Sequence, residues 1–361
     1  MRAPKAKIDL SALRHNLATV KQLAPASKIM AVVKADAYGH GIQQISLGLE
    51  QADAIAVACL KEAIALKNAG ISNPVILLEG FFGEKEFTQT LNNGFETVIH
   101  QEEQLQLIES YENRREYSEF LTVWLKLDTG MNRLGLNPEE FIDAYHRLKS
   151  SSLVKSIHLM SHLACADDIT NSMSSRQVEQ FKKVVKEINT QKSMANSAGI
   201  IAWPESHFEW VRPGIMLYGS SPMLGLKGVE HGLKPVMTLE SEVFAIKHLK
   251  AGDSVGYGAI WKAPADTVIG VVAIGYGDGY PRHAKVGTPV LVGGKRYPLV
   301  GRVSMDMITI DLGADSEVKV GDKAILWGEG LAVEEVADWA ETISYTLFCG
   351  ITSRVEYEYY D

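Results

Sequence analysis

The alternation of short apolar runs with longer amphipathic runs constrains the fold of this chain more than any other feature. Continuous apolar segments separated by helical patterns, such as "ACLKEAIALKNAG" and "SSRQVEQFKKVVKEINT", are typical of parallel strands covered on both faces. Eight such segments in about 220 residues predict an α/β fold with a (β/α)8 barrel of the TIM type. The segments lie at 28–33, 54–58, 74–78, 96–100, 122–128, 156–163, 192–197 and 207–214.

An open, doubly wound sheet is the alternative architecture for the same pattern. It would place a Gly-rich dinucleotide-binding turn after an early strand, and the sequence has no such turn. We therefore favour the barrel.

The character of the sequence changes after about residue 235. Stretches such as "DTVIGVVAIGYGDGY" and "VGDKAILWG" are rich in β-formers and interrupted by Gly, which predicts antiparallel strands and turns around one helix, "AVEEVADWAETI". The stretch "GSSPMLGLKG" has the composition of a linker. We predict a barrel at 8–228 and a mostly β domain at 229–361, and leave open whether the first few residues pack with the second domain.

Charge and apolar pattern exclude several classes of protein. A formal net charge of −8 argues against a nucleic-acid binder, because neutralising phosphates requires a basic face. No apolar run approaches the roughly 18 to 20 residues that cross a membrane, and "MRAPKAKIDLSALRHNL" lacks the apolar region of a signal peptide. The three cysteines are far apart and form no CxxC spacing. We expect a cytoplasmic protein without a disulfide framework.

Polar side chains follow five of the predicted strands, at the end where barrels of this type carry their chemistry. Because the carboxyl ends of all eight strands open at one mouth, we expect these side chains to lie together. They are Lys34 after the first strand, Lys126, Asp128 and Arg133 at and after the fifth, Ser161 and His162 at the sixth, Asn196 and Ser197 at the seventh, and Arg212 and Gly214 at the eighth.

The last two strand ends suggest a phosphate site, since barrels frequently bind phosphate in the loops after strands seven and eight. Ser197 offers a hydroxyl, and Gly214 lets backbone N–H groups approach closely. The plainer interpretation is helix-cap and turn chemistry in both loops. At this point both interpretations stay open.

A phosphate beside a strand-end lysine suggests pyridoxal 5′-phosphate (PLP), which needs a lysine for a Schiff base, a phosphate cup and a partner for its pyridine nitrogen. Lys34 and Arg212 could supply the first and the last of these. A rim lysine and a structural ion pair remain the plainer alternatives. His158 and His162 share one face of a strand, but a third ligand is missing, so no metal site is predicted.

Nine motifs, in this order, resemble the bacterial alanine racemases, fold-type III PLP enzymes with an N-terminal barrel and a C-terminal β domain. The resemblance runs from about residue 7 to the end of the chain, and its one departure is Thr346–Phe348, where a more acidic and then aliphatic run is expected. The motifs are "AVVKADAYGHG", "LKLDTGMNRLG", "SHLACAD", "NSAGI", "WVRPGIMLYG", "GDSVGYG", "AIGYGDGYPR", "GRVSMDM" and "SYTLFCGITSRV".

The resemblance implies two catalytic bases. Lys34 would be the Schiff-base lysine and the first base, and Tyr257, in "VGYG", the opposing base from the second subunit of a homodimer. Without the resemblance, a tyrosine in such a Gly-flanked turn is simply a turn aromatic that packs on a neighbour. Two bases on opposite faces can remove a proton from one face of a carbon and return it to the other. An ordinary tyrosine phenol has a pKa of about 10, and Tyr257 must then have a lower pKa than this to act near neutral pH.

The resemblance also implies how the cofactor and substrate are held. Arg133 would bind the substrate carboxylate and the PLP phenolic oxygen, and Lys126, commonly as a carbamate, would position Arg133. Arg212 would bond to the pyridine nitrogen, and His162 would link Arg212 to Tyr257 and supply positive charge with it. The phosphate would be held by Tyr38, Ser197, Gly214, Ile215 and Tyr345, while Met305, Asp306 and Tyr276 of the partner would shape substrate access.

The expected function is therefore PLP-dependent interconversion of L-alanine and D-alanine, which supplies D-alanine for peptidoglycan. Tyr276 and Met305 imply a tight site that favours a small side chain. Two alternatives are a broader amino-acid racemase or related fold-type III decarboxylase, and a non-catalytic PLP-binding protein, which would lack the second domain. We assign His40, between two glycines, to capping the following helix.

Overall fold

A computed structural model describes residues 4–112 and 119–361 of the chain. Its strands are β1 (Lys5–Asp9), β2 (Lys28–Val32), β3 (Ala54–Val57), β4 (Val75–Leu77), β5 (Glu96–Ile99), β6 (Leu121–Lys126), β7 (Val154–Met160), β8 (Lys192–Ser193), β9 (Trp210–Val211), β10 (Met237–Leu249), β11 (Ser254–Val255), β12 (Trp261–Lys262), β13 (Thr267–Val272), β14 (Pro289–Val292), β15 (Lys295–Val300), β16 (Ile308–Asp311), β17 (Lys323–Trp327) and β18 (Glu356–Tyr360).

The helices alternate with the first nine strands and return only near the end of the chain. They are α1 (Leu10–Leu23), α2 (Lys34–Gly39), α3 (Ile42–Gly48), α4 (Leu60–Asn68), α5 (Gly83–Asn92), α6 (Glu102–Glu112), α7 (Pro138–Ser150), α8 (Met173–Val184), α9 (Ser197–Ala202), α10 (Val333–Trp339) and α11 (Ser344–Cys349). Within the described ranges, no helix combines the length and apolar character that a membrane crossing requires.

Strands β2 to β9 close into a parallel barrel in chain order, which confirms the predicted fold class. Each predicted apolar segment contains or overlaps one barrel strand. The last two strands are only two residues long, but backbone bonds continue past them, from the Arg212 N–H to the Ala195 carbonyl and from the Val32 N–H to the Pro213 carbonyl, both at 2.9 Å. These bonds hold the segments after β8 and β9 in the wall of the barrel at its mouth.

Three helices around the barrel, α1, α7 and α9, begin at an N-cap side chain that accepts from the first turn. The clearest case is α7, where the Asn137 side chain accepts from the Glu139 and Glu140 N–H groups, both at 3.0 Å. Glu140 in turn accepts from the Asn137 N–H, and Pro138 occupies the first helical position. This capping box fixes the start of the helix that follows the loop carrying Arg133.

The second domain is an eight-stranded sheet in the order β13-β16-β15-β14-β17-β10-β1-β18, with β10 also pairing with β13. The first strand of the chain lies inside this sheet: Lys5 pairs with Glu240 of β10 and with Glu356 of β18. The apolar core of β2 to β4 continues into this domain through residues such as Tyr218 and Met237. The second domain is thus packed against the side of the barrel that carries Lys34. The division at 228/229 stays a prediction.

Candidate active site

Ten of the residues to which the family resemblance gives a role line one cavity of about 670 Å³ at the carboxyl ends of the barrel strands, and Asn196, also predicted at the mouth, lines it with them. Nine come from the barrel and one, Tyr345, from α11 of the second domain. Strand ends far apart in sequence thus meet at one mouth, as the barrel pattern predicts. The ten residues are Lys34, Tyr38, Lys126, Arg133, His162, Ser197, Arg212, Gly214, Ile215 and Tyr345.

Lys34 opens a left-handed helical turn, which the sequence did not suggest. Residues 35–38 all have φ between 53° and 55°, although none is glycine. Such a conformation costs roughly 1–2 kcal/mol per residue, so the surrounding structure must hold it in place. The Glu62 carboxylate accepts from the Ala35 N–H at 2.7 Å, and Asp36 Oδ1 accepts from the Ile42 N–H at 2.8 Å. The turn brings the side chains of Lys34 and Tyr38 to the same cavity.

His40 does not cap the helix that follows, so that expectation is wrong. The N-cap of α3 is Gly41, which has no side chain, and the first N–H of the helix, that of Ile42, donates to Asp36 Oδ1. The His40 ring is instead fully buried, with Nδ1 2.9 Å from the Tyr38 carbonyl oxygen. Burial lowers the pKa of His40 to about 4. The ring is therefore neutral, and because a carbonyl only accepts, Nδ1–H donates to it.

The loops after β8 and β9 form a cluster of hydrogen-bond donors. Ser197 Oγ accepts from the Gly214 N–H at 2.9 Å and from the Met216 N–H at 3.4 Å, which leaves the hydroxyl proton free to donate. A Cβ added at Gly214 would come 2.5 Å from the Tyr38 hydroxyl oxygen. Only glycine at this position lets that hydroxyl reach the cluster.

Two phenols complete this end of the cavity. Burial raises the pKa of Tyr38 and raises that of Tyr345 to about 12, so both hydroxyls keep their protons at neutral pH. Neither hydroxyl has a hydrogen-bond partner among the described residues, and the two rings lie 5.8 Å apart. A group that only accepts hydrogen bonds, such as a phosphate ester, matches this set of donors.

Arg212 is buried and fixed by several acceptors. Its Nη1 donates to Ser193 Oγ at 2.5 Å, and its Nη2 donates to the Ser161 carbonyl oxygen at 2.5 Å. Burial lowers its pKa to about 10, which leaves the guanidinium charged at neutral pH. The Nε–H and one Nη1–H have no acceptor among the described residues. These two N–H groups are available to an acceptor in the cavity, such as a pyridine nitrogen.

His162 lies against Arg212, with 3.3 Å between His162 Nδ1 and Arg212 Nη2. Burial, followed by the charge of Arg212, lowers the pKa of His162 well below its usual range. Because Arg212 can only donate, Nδ1 accepts and the neutral ring carries its proton on Nε2. The positive charge of this pair therefore resides on Arg212 alone, not on both residues as the sequence interpretation supposed.

Lys126 is the most perturbed lysine at the mouth. It is 9% exposed, and no carboxylate of the described residues lies within salt-bridge distance of its amine. Burial, with the charges of Arg212 and Arg133, lowers its pKa to about 8. With this pKa about a tenth of the amine is unprotonated at pH 7, far more than for an ordinary lysine, and this is the form that reacts with electrophiles. Arg133 itself is exposed on the cavity wall.

The remaining predicted residues do not reach the cavity within this chain. Tyr257, Met305 and Tyr276 are 70%, 52% and 40% exposed. The Tyr276 N–H donates to the Ser304 carbonyl at 3.0 Å, which places Tyr276 next to the segment that carries Met305. Asp306, in the same segment, accepts from Arg354 Nη2 at 2.6 Å. We call the four residues Tyr257, Tyr276, Met305 and Asp306 the displayed group.

Sequence reasoning missed a buried glutamine that ties two strand ends together. Gln177 of α8 donates from Nε2 to the His162 carbonyl at 2.9 Å and to Thr129 Oγ1 at 3.1 Å. Its Oε1 accepts from the Ala164 N–H at 2.9 Å. The available signal was a polar residue inside the apolar stripe of an amphipathic helix, beside Val178.

Comparison with known proteins identifies the family of this arrangement. Residues 8–222 match the family profile "Alanine racemase, N-terminal domain", and residues 236–359 match "Alanine racemase, C-terminal domain". The chain is 50% identical over 353 residues to an alanine racemase of Shewanella piezotolerans, covering 98% of each chain. It is 49% identical over 361 residues to that of Vibrio cholerae, covering 100% of this chain and 99% of the other.

Solved structures give the same result. A biosynthetic alanine racemase from Pseudomonas aeruginosa superposes with a TM-score of 0.96 at 44% identity, and an alanine racemase from Acinetobacter baumannii with 0.95 at 41%. Both comparisons cover 100% of each chain. The resemblance seen in the nine motifs is confirmed, and the chain belongs to the alanine racemase family.

Proposed function

We propose that this chain is a PLP-dependent alanine racemase, an isomerase that interconverts L-alanine and D-alanine. The observation that carries the proposal is the left-handed turn, which presents Lys34 and Tyr38 to one cavity opposite the donors of Ser197 and Arg212. A nucleophilic amine, a phosphate-type donor cluster and a charged donor for a ring nitrogen are the three groups PLP requires. Family membership over the whole chain supports the same activity.

The residues of the cavity fit the cofactor chemically. Lys34 would join the cofactor aldehyde, and Arg212 would donate to the pyridine nitrogen. The phosphate would accept from the hydroxyls of Tyr38, Tyr345 and Ser197 and from the Ile215 N–H, and the Gly214 N–H would join them by turning from Ser197 Oγ to the phosphate. When bound, PLP draws electrons from the substrate α-carbon and so makes its proton removable.

The chain's own residues would then move and position the proton. The Lys34 amine would take or return the α-proton on one face. Arg133 would bind the substrate carboxylate, a pairing that guanidinium geometry favours. Since a guanidinium beside the pyridine nitrogen gives up no proton, Arg212 would keep that nitrogen unprotonated and limit transamination as a side reaction.

Lys126 would act through Arg133, as a carbamate formed by its amine and carbon dioxide. The lowered pKa of Lys126 supports this, because only the unprotonated amine forms a carbamate. The adduct would replace a buried cation among cations by an anion able to pair with Arg133. Isotope-labelled bicarbonate should give a carbamate signal in NMR that Lys126→Met abolishes.

The second base would come from another copy of the chain. Tyr257 would face Lys34 across the substrate, with Met305, Tyr276 and Asp306 of the same copy shaping access to the site. The support is that Tyr257, Tyr276 and Met305 are exposed in one chain, and that none of the four residues lines that chain's own cavity. His162, with its proton on Nε2, would donate to the Tyr257 oxygen and connect it to Arg212.

A coupled assay with a D-amino-acid oxidase tests the proposed function. L-Alanine, L-serine and L-arginine are offered in turn, and we expect L-alanine to be racemised fastest. Faster turnover of L-arginine would contradict the proposal and favour a broader racemase. D-Alanine made in this way would supply peptidoglycan synthesis, and the predicted cytoplasmic location would place the enzyme beside that demand.

A further inference from the structure

Strand β18, at the chain's C-terminal end, lies at the edge of the second domain's sheet and presents two tyrosines to the barrel. Side chains alternate along a strand, so Tyr357 and Tyr359 share one face and Tyr360 points to the other. The rings of Tyr357 and Tyr359 are half-buried and stacked, with centroids 6.3 Å apart. Tyr360 instead packs with Lys7, whose Nζ lies 5.3 Å from its ring centroid.

Both inward tyrosines bond to the backbone where the left-handed turn ends. The Tyr357 hydroxyl donates to the Gly39 carbonyl at 2.8 Å, and the Tyr359 hydroxyl donates to the His40 carbonyl at 3.1 Å. Burial raises the pKa of both phenols, so both remain donors throughout the neutral range. These bonds join positions more than 300 residues apart in the chain.

The side chains around Gly41 and His40, at the end of the left-handed turn, pack closely against the backbone. Gly41 has a φ of +88°, and a Cβ added there would come 2.0 Å from the Tyr359 hydroxyl. The His40 ring lies between Tyr218 and Phe348, with centroids 4.6 Å and 4.8 Å away. The exit of the turn is therefore enclosed by side chains of the barrel and of the second domain.

This enclosure matters because one short turn carries two groups that would hold opposite ends of the same ligand. Lys34 would hold the cofactor aldehyde and Tyr38 its phosphate, so the backbone between them sets the spacing of the two. An unfavourable backbone conformation persists only when its surroundings over-determine it. The carbonyls of Gly39 and His40 follow Tyr38 directly, and the two phenols fix their direction.

We propose that Tyr357 and Tyr359 are positioning residues that hold the Lys34–Gly39 turn in the geometry that binds PLP. They act through the backbone and do not touch the cofactor. The proposal rests on the proposed function for its cofactor, but the contact that it invokes belongs to this chain alone. It assigns to the final strand of the chain a role in a site formed mainly by the barrel.

The test compares Tyr357→Phe, Tyr359→Phe and the double variant with Tyr360→Phe, a control that removes a hydroxyl from the opposite face of the same strand. Each phenylalanine keeps the ring and removes only the donor. We expect each single variant to bind PLP about twofold to tenfold more weakly and the double variant about tenfold or more, with the control unchanged. Binding is measured by titrating the apo-protein and following the absorbance of bound PLP.

Hydrogen exchange supplies a reading that does not depend on the cofactor. In the apo-protein, the amides of residues 35–42 should exchange faster in both single variants than in the control, while amides in β6 and β7 stay unchanged. Equal exchange and equal PLP affinity in all variants would overturn the proposal and leave the proposed function intact. Failure of the native protein to bind PLP would refute the proposed function, and exchange would still decide the role of the tyrosines.

A second pair of variants approaches the same contact from the other side. Gly41→Ala places a methyl group against the Tyr359 hydroxyl and should weaken PLP binding. Adding Tyr359→Phe removes the atom that the methyl group meets, so the combined loss should be smaller than the product of the two separate losses. Strictly multiplicative losses would count against direct contact between these positions as the source of the effect.

Discussion

The barrel cavity and the displayed group differ in how much of each is buried and held by contacts within one chain. In the cavity, Arg212 is buried and held by fixed acceptors, and the turn that carries Lys34 is held by Glu62 and by the second domain. In the displayed group, the side chains of Tyr257 and Met305 face outward. A preorganised half beside an exposed half is what a site shared between two copies requires, and substitutions in each half test that division.

The largest expected effect on the racemisation rate comes from a substitution in the barrel cavity, at Lys34. Lys34→Ala should lower the racemisation rate by about 10⁴-fold or more, because it would remove both the proposed attachment point of the cofactor and one of the two proposed bases. The absorbance of lysine-bound PLP should disappear as well. Lys186→Ala, on a lysine side chain that is 80% exposed, is the control and should leave both properties unchanged.

The next effect separates chemistry from cofactor binding. Tyr257→Phe should lower the racemisation rate by about 10²- to 10⁴-fold, the usual contribution of a general acid or base, while PLP affinity stays within about twofold of native. Steady-state kinetics and PLP titration give the two numbers. Loss of PLP affinity with little change in rate would show that Tyr257 helps to bind the cofactor and would contradict its role as a base.

The pH dependence of the free energy of unfolding tests whether the Lys126 amine is a buried, destabilising charge. Its pKa of about 8 when folded lies below the unfolded value of 10.5, so the unfolded chain binds more protons between these limits. Stability should therefore rise with pH from about 8 to about 10.5, by about 3 kcal/mol from this group. Chemical denaturation in bicarbonate-free buffer should show the rise, which Lys126→Met should remove.

The exposed Lys155 of β7 offers a matched control, since Lys155→Met should leave the pH dependence of stability intact. Added bicarbonate should stabilise the native protein below pH 8, because a carbamate removes the buried positive charge. A stability curve that is flat over this window in the native protein would contradict the account of Lys126.

The smallest expected effect is on the ratio of transamination to racemisation. Arg212→Glu should raise transamination relative to racemisation by about tenfold, a difference of about 1.4 kcal/mol between the two barriers. Pyruvate released per D-alanine formed measures the ratio, and Arg176→Glu, on an exposed arginine, is the control. An unchanged ratio in an Arg212→Glu protein that still binds PLP would contradict the role given to the guanidinium.

Much of the fold and of the cavity could be predicted because the signals are local and strong. Apolar runs that alternate with helices indicate a parallel sheet, and the count of eight runs without a Gly-rich dinucleotide-binding turn favours a barrel, which brings its strand ends to one mouth. Lys34, Ser197 and Arg212 could therefore be grouped before any coordinates were known. The roles of these residues remain proposals.

Other features depend on long-range contacts that leave no local signal. The left-handed turn at 35–38 runs against the backbone preference of every residue in it, and partners distant in the sequence, such as Glu62 at Ala35 and Tyr357 at Gly39, contact it only in the folded chain. The pairing of β1 with β10 and β18 likewise links the two ends of the chain. The neutral state of His162 follows from its burial beside Arg212, which its place in the sequence does not reveal.

Mixed dimers of two inactive variants test the central claim most directly. Lys34→Ala and Tyr257→Phe chains are purified, mixed in equal amounts and allowed to exchange subunits. If the two bases of a site come from different copies, half of the dimers are mixed, and each has one intact site with a native Lys34 and a native Tyr257. Racemase activity should then recover to about a quarter of the native value. Recovery to no more than the sum of the two variants, with subunit exchange verified, would show that both bases come from one chain and would contradict the account.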